Sequence, residues 1–315
     1  MKKTFDIRNK TILVTGAHGF LGKHLIDDLK EHGAKHLICP TSKEIDFRKL
    51  SDVKKAVKGV DGVIHLAAMV GGIGYNRDHP AEMFYNNLMM GVQLIHEAWK
   101  AGVEKFVALG TICCYPKFTP VPFQEKNLWD GYPEETNAPY GLSKKMLLVQ
   151  SESYRAQYDF NSIFLLPVNL YGPGDNFNPE SSHVIPALVR RMEAARAKDV
   201  DEVVVWGTGR ATREFLYVQD AATAIRLATE YYDKSDPINI GAGFEISIKN
   251  LTNKIKNIIG YQGKIVWDKT KPDGQPRRML DTSRAKKEFN FSAVTDFDTG
   301  LQNTIQWYEQ QYLDK

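Results

Sequence analysis

Tyr140 and Lys144 stand four residues apart at the head of a stretch that reads as a long helix, so their side chains share one helix face. A lysine ammonium beside a phenol favours the phenolate, which would make Tyr140 a usable proton donor and acceptor near neutral pH. Upstream, Thr111-Ile112-Cys113-Cys114-Tyr115-Pro116 follows directly on the apolar run Phe106-Val107-Ala108-Leu109. A cysteine after a strand is most often a small buried hydrophobe, and Cys114 is read that way; Cys113 stays open between that role and chemistry. His183 follows two serines and is, by default, an ordinary residue at a helix start.

The elements that must position these residues alternate between strands and helices. Thr11 to Thr15 is a short β-branched run, as expected of a buried parallel strand. Gly16-Ala17-His18-Gly19-Phe20-Leu21-Gly22 follows, then a helical pattern from Lys23 to Glu31. Such glycines allow a tight turn and close approach to a pyrophosphate, which the helix N-terminus attracts. The spacing G-x-x-G-x-x-G alone fits a plain strand–helix turn equally well; strand, glycines and helix in that order favour a dinucleotide site. A second strand, His36 to Cys39, runs into Pro40-Thr41-Ser42-Lys43. No acid stands at that strand end, and Thr41, Ser42 and Lys43 could each bond a phosphate, so NADP(H) is favoured and NAD(H) possible. Asp46 and Phe47 are expected at the adenine.

Val63 to Ala68 is a further strand, whose last residues, Ala67 and Ala68, are small enough to admit a cofactor. Gly71-Gly72-Ile73-Gly74 reads as a flexible loop beyond it. Pro80 to Lys100 reads as a helix whose stripe of Phe84, Leu88, Val92, Ile95 and Trp99 is expected in the core. Lys105 to Leu109 is a strand, Tyr140 to about Tyr158 a helix, and Ile163 to Leu166 a strand. This alternation predicts an α/β fold, a Rossmann-type doubly wound parallel sheet. After Pro167 the texture changes to the turn-rich segment 169–179, a helix from His183 to Ala197, short strands at 203–206 and 214–218, and a closing amphipathic helix near 298–312. The expected division is a dinucleotide-binding domain at 1–168 and a smaller substrate-binding lobe at 169–315, with some elements returning to the first.

Composition narrows the class. In 315 residues, Lys and Arg number 41 against 38 Asp and Glu, an excess too small to imply nucleic acid or an anionic membrane. No apolar run approaches the ~18 residues of a membrane span. Met1-Lys2-Lys3-Thr4 has the charge of a signal-peptide start, but Phe5 to Lys10 supplies no apolar region after it. Three cysteines, two of them adjacent, give neither a disulfide framework nor a metal-ligand spacing. A reduced cytoplasmic protein without a metal is expected.

The glycine loop, Thr111, Tyr140 and Lys144 together resemble the extended short-chain dehydrogenase/reductases that act on nucleotide sugars. Met69-Val70-Gly71-Gly72-Ile73, Cys113-Cys114-Tyr115-Pro116-Lys117, Pro167 to Pro173, Asp175-Asn176-Phe177, Ser182 to Leu188 and Arg213-Glu214-Phe215-Leu216 narrow the resemblance to the GDP-L-fucose synthase family over nearly the whole chain. The resemblance implies 3,5-epimerisation and NADPH-dependent C4-keto reduction of a GDP-4-keto-6-deoxy-mannose-type sugar. It makes Tyr140 the acid at the C4 oxygen, Lys144 its partner on the nicotinamide ribose, and Thr111 a second donor to that oxygen. Cys113 becomes the epimerisation base and His183 its partner. It sets Gly16, His18, Gly19, Phe20, Leu21, Gly22, Pro167, Asn169, Leu170 and His183 at the cofactor. Asn169, Trp206, Arg191, Arg213 and Arg278 fall to the GDP-sugar, and a homodimer through paired helices is implied.

The resemblance also sets a relative class aside. In nucleotide-sugar 4,6-dehydratases the catalytic threonine is typically followed by Asp-Glu, where this chain has Ile112 and Cys113. Departures from the family pattern are His18 and Pro40 where arginines often serve the 2′-phosphate, Ile112 for a common serine and Val168 for a common threonine. They admit a 6-deoxyheptose as the sugar, NAD(H) as the cofactor, or only one of the two chemistries. The alternative from another class is a non-catalytic cofactor-binding sensor, which would have no need of the Thr111–Tyr140–Lys144 set.

Overall fold

The structure is a computed structural model describing residues 2–271 and 273–312. Its first half alternates as the sequence suggests. In chain order come β1 (Thr11–Thr15), α1 (Phe20–Glu31), β2 (His36–Ile38), α2 (Leu50–Ala56), β3 (Gly62–His65), α3 (Ile73–Asp78), α4 (Pro80–Lys100), β4 (Lys105–Leu109), α5 (Ala138–Tyr158) and β5 (Ser162–Pro167). The second half carries β6 (Asn169–Tyr171), α6 (Val184–Ala197), β7 (Glu202–Trp206), β8 (Thr212–Arg213), β9 (Phe215–Tyr217), α7 (Val218–Tyr231), β10 (Ile238–Ile240), β11 (Ile246–Ser247), α8 (Ile248–Ile259), β12 (Lys264–Asp268), α9 (Ser283–Phe289) and α10 (Phe297–Tyr312).

Six strands form one sheet in the order β10-β5-β4-β3-β1-β2, and every pairing in it is parallel. β-Branched and aromatic residues fill its centre: Val14 lies opposite Ile64, and Val107 opposite Ile163. The order turns outward in both directions from β1 and β3, which opens a crevice beyond their C-terminal ends. The glycine loop follows β1, Ala67 and Ala68 follow β3, and Thr111 and Cys113 follow β4, while Tyr140 and Lys144 come from α5. β10 comes from residue 238 and still completes this sheet.

A second apolar cluster, joining Ile185 and Val189 of α6, Val205 of β7, Ile255 of α8 and Leu301 of α10, is separate from the cluster around the main sheet. β7 pairs with β12, β6 with β9, and β8 with β11.

Two expectations change. The segment after Gly72 is not a loop: Gly72 starts α3, the Asn76 amide donates to its carbonyl at 3.0 Å, and its own N–H donates to the Ser181 carbonyl at 3.2 Å. The α4 stripe is only partly the buried face: Ile95 is buried, and Val92 and Trp99 pack against the core from its edge. Met83, Asn87, Gly91, Leu94, Ile95 and Ala98 are buried, while Phe84 is 38% exposed and Trp99 only partly covered. Gly91 carries no side chain because α5 lies there: a β-carbon would press into Leu147. Close packing of α5 on that small-residue face leaves the aromatic stripe at its margin, where Trp99 stacks on Tyr158 at 4.1 Å.

Candidate active site

Thr111 follows β4 in extended conformation and starts a single 3-10 turn, Ile112–Cys114, its hydroxyl accepting the Cys113 amide at 3.3 Å. Ile112 and Cys114 point into the core, leaving Cys113 half-buried between them. The head of α5 sits directly on this turn. A β-carbon on Gly141 would collide with the Cys113 carbonyl, and the Cys114 thiol donates to the Gly141 carbonyl at 3.3 Å. The absence of one side chain therefore lets the helix that carries Tyr140 rest on the turn that Thr111 starts and Cys113 occupies.

Electrostatics there are governed by burial. The Tyr140 phenol is pushed up by burial first, with the Cys113 and Cys114 sulfurs adding to it. Lys144 is pushed down to about 8 by burial. Burial raises the phenol and lowers the ammonium, opposite in direction to the shift that attraction between the two would give by itself. Burial likewise pushes Cys114 up to about 12, consistent with an inert structural thiol.

His183 is the residue before α6 and reaches solvent from a recess, where crowding by protein pushes its imidazole down. A short run of bonds links it to the Tyr140 helix. Gly72 meets the Ser181 carbonyl, Asn76 bonds Gly72, and the Asn76 side-chain amide donates to Asn137 at 3.1 Å, three residues before Tyr140.

The glycine loop fits a dinucleotide. A β-carbon on Gly22 would strike the Gly16 carbonyl, so α1 begins hard against the loop. No side chain caps α1 and no acid lies in its first turn, which leaves its leading N–H groups to a diphosphate. His18 bonds the Cys39 carbonyl at 2.8 Å and so closes the loop onto the end of β2. Ala67 and Ala68 are half-buried beyond β3, the Ala67 amide donating to Thr15 at 3.0 Å.

At the expected adenosine end several of the candidate residues bond within the chain. Ser42 and Lys43 are exposed, but the Thr41 amide and hydroxyl both donate to Glu44 at 2.8 Å. Asp46 is engaged by the Arg48 guanidinium at 2.8 and 2.9 Å, and Phe47 is buried in the main core.

On the other wall, Asn169 donates to the Glu214 carbonyl at 3.1 Å, and Pro167 and Leu170 flank it at the end of β5 and in β6. Arg191 of α6 donates to the Val204 carbonyl, close to exposed Trp206, over which the Lys271 ammonium lies at 5.6 Å. Arg213 donates to the carbonyls of Thr212 and Gln275, each at 2.6 Å; burial first, then Arg278, pushes it down to about 10. Arg278 is buried, and its guanidinium donates to the Cys113 sulfur at 3.4 Å.

Glu214 was not among the residues singled out by chemistry, yet it organises this wall. Its buried carboxylate accepts the amides of Ala242 and Gly243 at 2.7 Å and of Leu280 at 2.6 Å, and its own amide donates to the Arg278 carbonyl at 3.1 Å. Burial pushes that carboxyl up to about 7. The sequence signal available for it was a lone acid between Arg213 and an apolar strand.

Comparison with known proteins agrees with this architecture. The NAD dependent epimerase/dehydratase family matches residues 12–241. The chain is 39% identical over 303 residues to GDP-L-fucose synthase 1 of Arabidopsis thaliana, covering 96% of this chain and 94% of that protein. Among solved structures it is similar to a GDP-6-OMe-4-keto-L-xylo-heptose reductase from C. jejuni, with TM-score 0.90, 27% identity, and coverage of 96% and 99% of the two chains. It is also similar to a GDP-L-fucose synthetase from Naegleria fowleri bound to NADP, with TM-score 0.89, 27% identity, and coverage of 99% and 98%. The chain belongs to the NAD dependent epimerase/dehydratase family.

Proposed function

We propose that the protein inverts C3 and C5 of a GDP-4-keto-6-deoxy-mannose-type sugar and reduces its C4 ketone with NADPH, giving GDP-L-fucose or a close relative. One observation carries this reading: Gly141 lets the Tyr140 helix press on the turn that holds Thr111 and Cys113, so reduction and epimerisation groups share one pocket. A proton next to a ketone is acidic because the resulting enolate spreads its charge onto the C4 oxygen, where Thr111 and Tyr140 act as donors. Cys113 removes that proton, and His183, which is exposed to solvent, returns one from the opposite face once it has taken up a proton. Bound NADPH supplies hydride to C4. Tyr140, a protonated phenol in its buried setting, delivers the proton to the oxygen, and Lys144 holds the ribose beside it. Arg191, Arg213 and Arg278 supply positive charge for the diphosphate, with Trp206 beside the base.

NADP(H) is favoured because similar structures are described as binding NADP or solved with NADPH. Residues 1–168 form the cofactor half and 169–315 mainly the nucleotide-sugar half; the second apolar cluster supports this division, while α7, β10 and α9 return to the core of the main sheet. The exposed apolar residues Phe84 and Tyr85 on α4 and Val149 and Tyr158 on α5 suit a homodimer through these helices. Among the described residues no helix is long and apolar enough to cross a membrane, and free cysteines suit the cytoplasm proposed for the enzyme.

A reductase-only reading is favoured by similarity to a protein described as a GDP-4-keto-heptose reductase. Incubation with GDP-4-keto-6-deoxy-mannose and either NADPH or NADH separates the two. The proposal expects cofactor oxidation and a product whose NMR couplings show inversion at C3 and C5; reduction without inversion supports the reductase.

A further inference from the structure

We propose that Arg278 is a catalytic residue for the epimerisation, its guanidinium holding Cys113 as the thiolate that accepts the carbon-bound proton. This rests on the reading of Cys113 as the base. The contact is specific: Arg278 Nη2 donates to Cys113 Sγ at 3.4 Å, across 165 residues of sequence. A guanidinium has donors but no acceptor and keeps its charge, so it favours the anionic sulfur without competing as an acid.

The surroundings leave that charge for the sulfur. Arg278 is 9% exposed, and its Nε has no hydrogen-bond partner among the described residues. Its neighbour Arg277 is paired with Glu245, whereas the hydrogen bond made by the Arg278 side chain goes to sulfur. Arg213 lies close by, so two guanidiniums share this wall and call for an anion. Asp273 also acts on Arg213, and Cys113 is the group bonded to Arg278 that can become an anion.

The direction of the Arg278 side chain is also built in. Its carbonyl accepts the Glu214 amide at 3.1 Å, the Met279 carbonyl accepts the Phe123 amide at 2.8 Å, and the Leu280 amide donates to Glu214 at 2.6 Å. Backbone pinned at three successive residues aims the guanidinium at the turn after β4.

The step balances without another reagent. The thiolate takes the proton from carbon, the C–H electron pair passes into the enolate, and the charge appears on the oxygen facing Thr111 and Tyr140. The neutral thiol then loses its proton to solvent and returns to thiolate beside Arg278.

Alkylation of the full-length chain by iodoacetamide at neutral pH, mapped to individual cysteines, tests this apart from turnover, because Arg278 is also placed at the diphosphate. In the unaltered chain Cys113 is expected to react roughly ten-fold or more faster than glutathione; a rate at or below that of glutathione overturns the proposal. Arg278→Met is expected to slow Cys113 by roughly ten- to a hundred-fold, with Cys39 unchanged, and Arg278→Lys to recover part of the loss. An unchanged Cys113 rate in Arg278→Met overturns it. If Cys39 reactivity shows that Arg278→Met is misfolded, the comparison in the unaltered chain decides. Should Cys113→Ser still admit solvent deuterium at C3 and C5, the base assignment fails, whatever Arg278 does to the sulfur.

Discussion

Gly141→Ala isolates the contact on which the shared pocket depends. Alanine is the better helix former by about 1 kcal/mol, so on local grounds the change should stabilise α5. The added β-carbon would lie 2.8 Å from the Cys113 carbonyl carbon and 3.4 Å from the Cys114 nitrogen. Carbon pairs settle at about 3.5 Å or more and the Cys113 carbonyl oxygen lies closer still, so helix and turn must part by more than about 0.7 Å, and both sides are backbone that cannot rotate away. Overpacking of this kind costs about 1–3 kcal/mol, so net destabilisation of up to about 2 kcal/mol is expected. The larger effect is on geometry: a displacement approaching 1 Å costs about 10²-fold, giving an expected loss of roughly ten- to a hundred-fold in kcat/KM for NADPH oxidation with the GDP-4-keto sugar. Gly74 is the control, since nothing lies within 4 Å of a β-carbon there, and Gly74→Ala should keep full activity. Thermal unfolding separates stability from geometry. A folded Gly141→Ala enzyme with unaltered kcat/KM would refute the reasoning.

Other perturbations read other parts of the site. Tyr140→Phe should lower ketone reduction by about 10²–10⁴-fold in the NADPH assay, and undiminished reduction would remove Tyr140 as the acid. Lys144, pushed down to about 8, carries its charge below that pH and loses it as the pH rises through it. kcat/KM at limiting NADPH should therefore fall above about pH 8 in the unaltered enzyme, and the lower rate of Lys144→Met should lack that limb. Glu44 holds a carboxylate on the Thr41 amide and hydroxyl, where a 2′-phosphate would compete for the same donors. Glu44→Ala should lower KM for NADPH several-fold relative to NADH; an unchanged ratio would place the phosphate elsewhere.

The parts of this arrangement legible in sequence are those built from near neighbours. A strand, glycines and a helix in order define the cofactor loop, and a tyrosine four residues before a lysine defines one helix face. Periodicity is less reliable where it meets a partner helix: the stripe of α4 has the spacing of a core face and Ile95 is buried, but Gly91 lets α5 pack on the adjoining face and leaves Phe84 exposed. Contacts between distant residues were not legible. Nothing local in the sequence says that Arg278 will meet Cys113, that Glu214 will gather three amides from two segments, or that Glu44 will fold back on Thr41. Spacing fixes the proximity of Tyr140 and Lys144 without fixing how much water remains, and burial acts against the shift that their attraction would give by itself.

The central claim is that Cys113 and His183 turn a ketone-reducing site into an epimerase. Its most direct measurement is incubation of GDP-4-keto-6-deoxy-mannose in heavy water without a reducing cofactor, with deuterium at C3 and C5 read by NMR or mass spectrometry. The account predicts deuterium at both carbons with the unaltered enzyme and none above background with Cys113→Ser, which should still reduce a 4-keto sugar already inverted at both centres. Equal deuterium entry with the two proteins would contradict it.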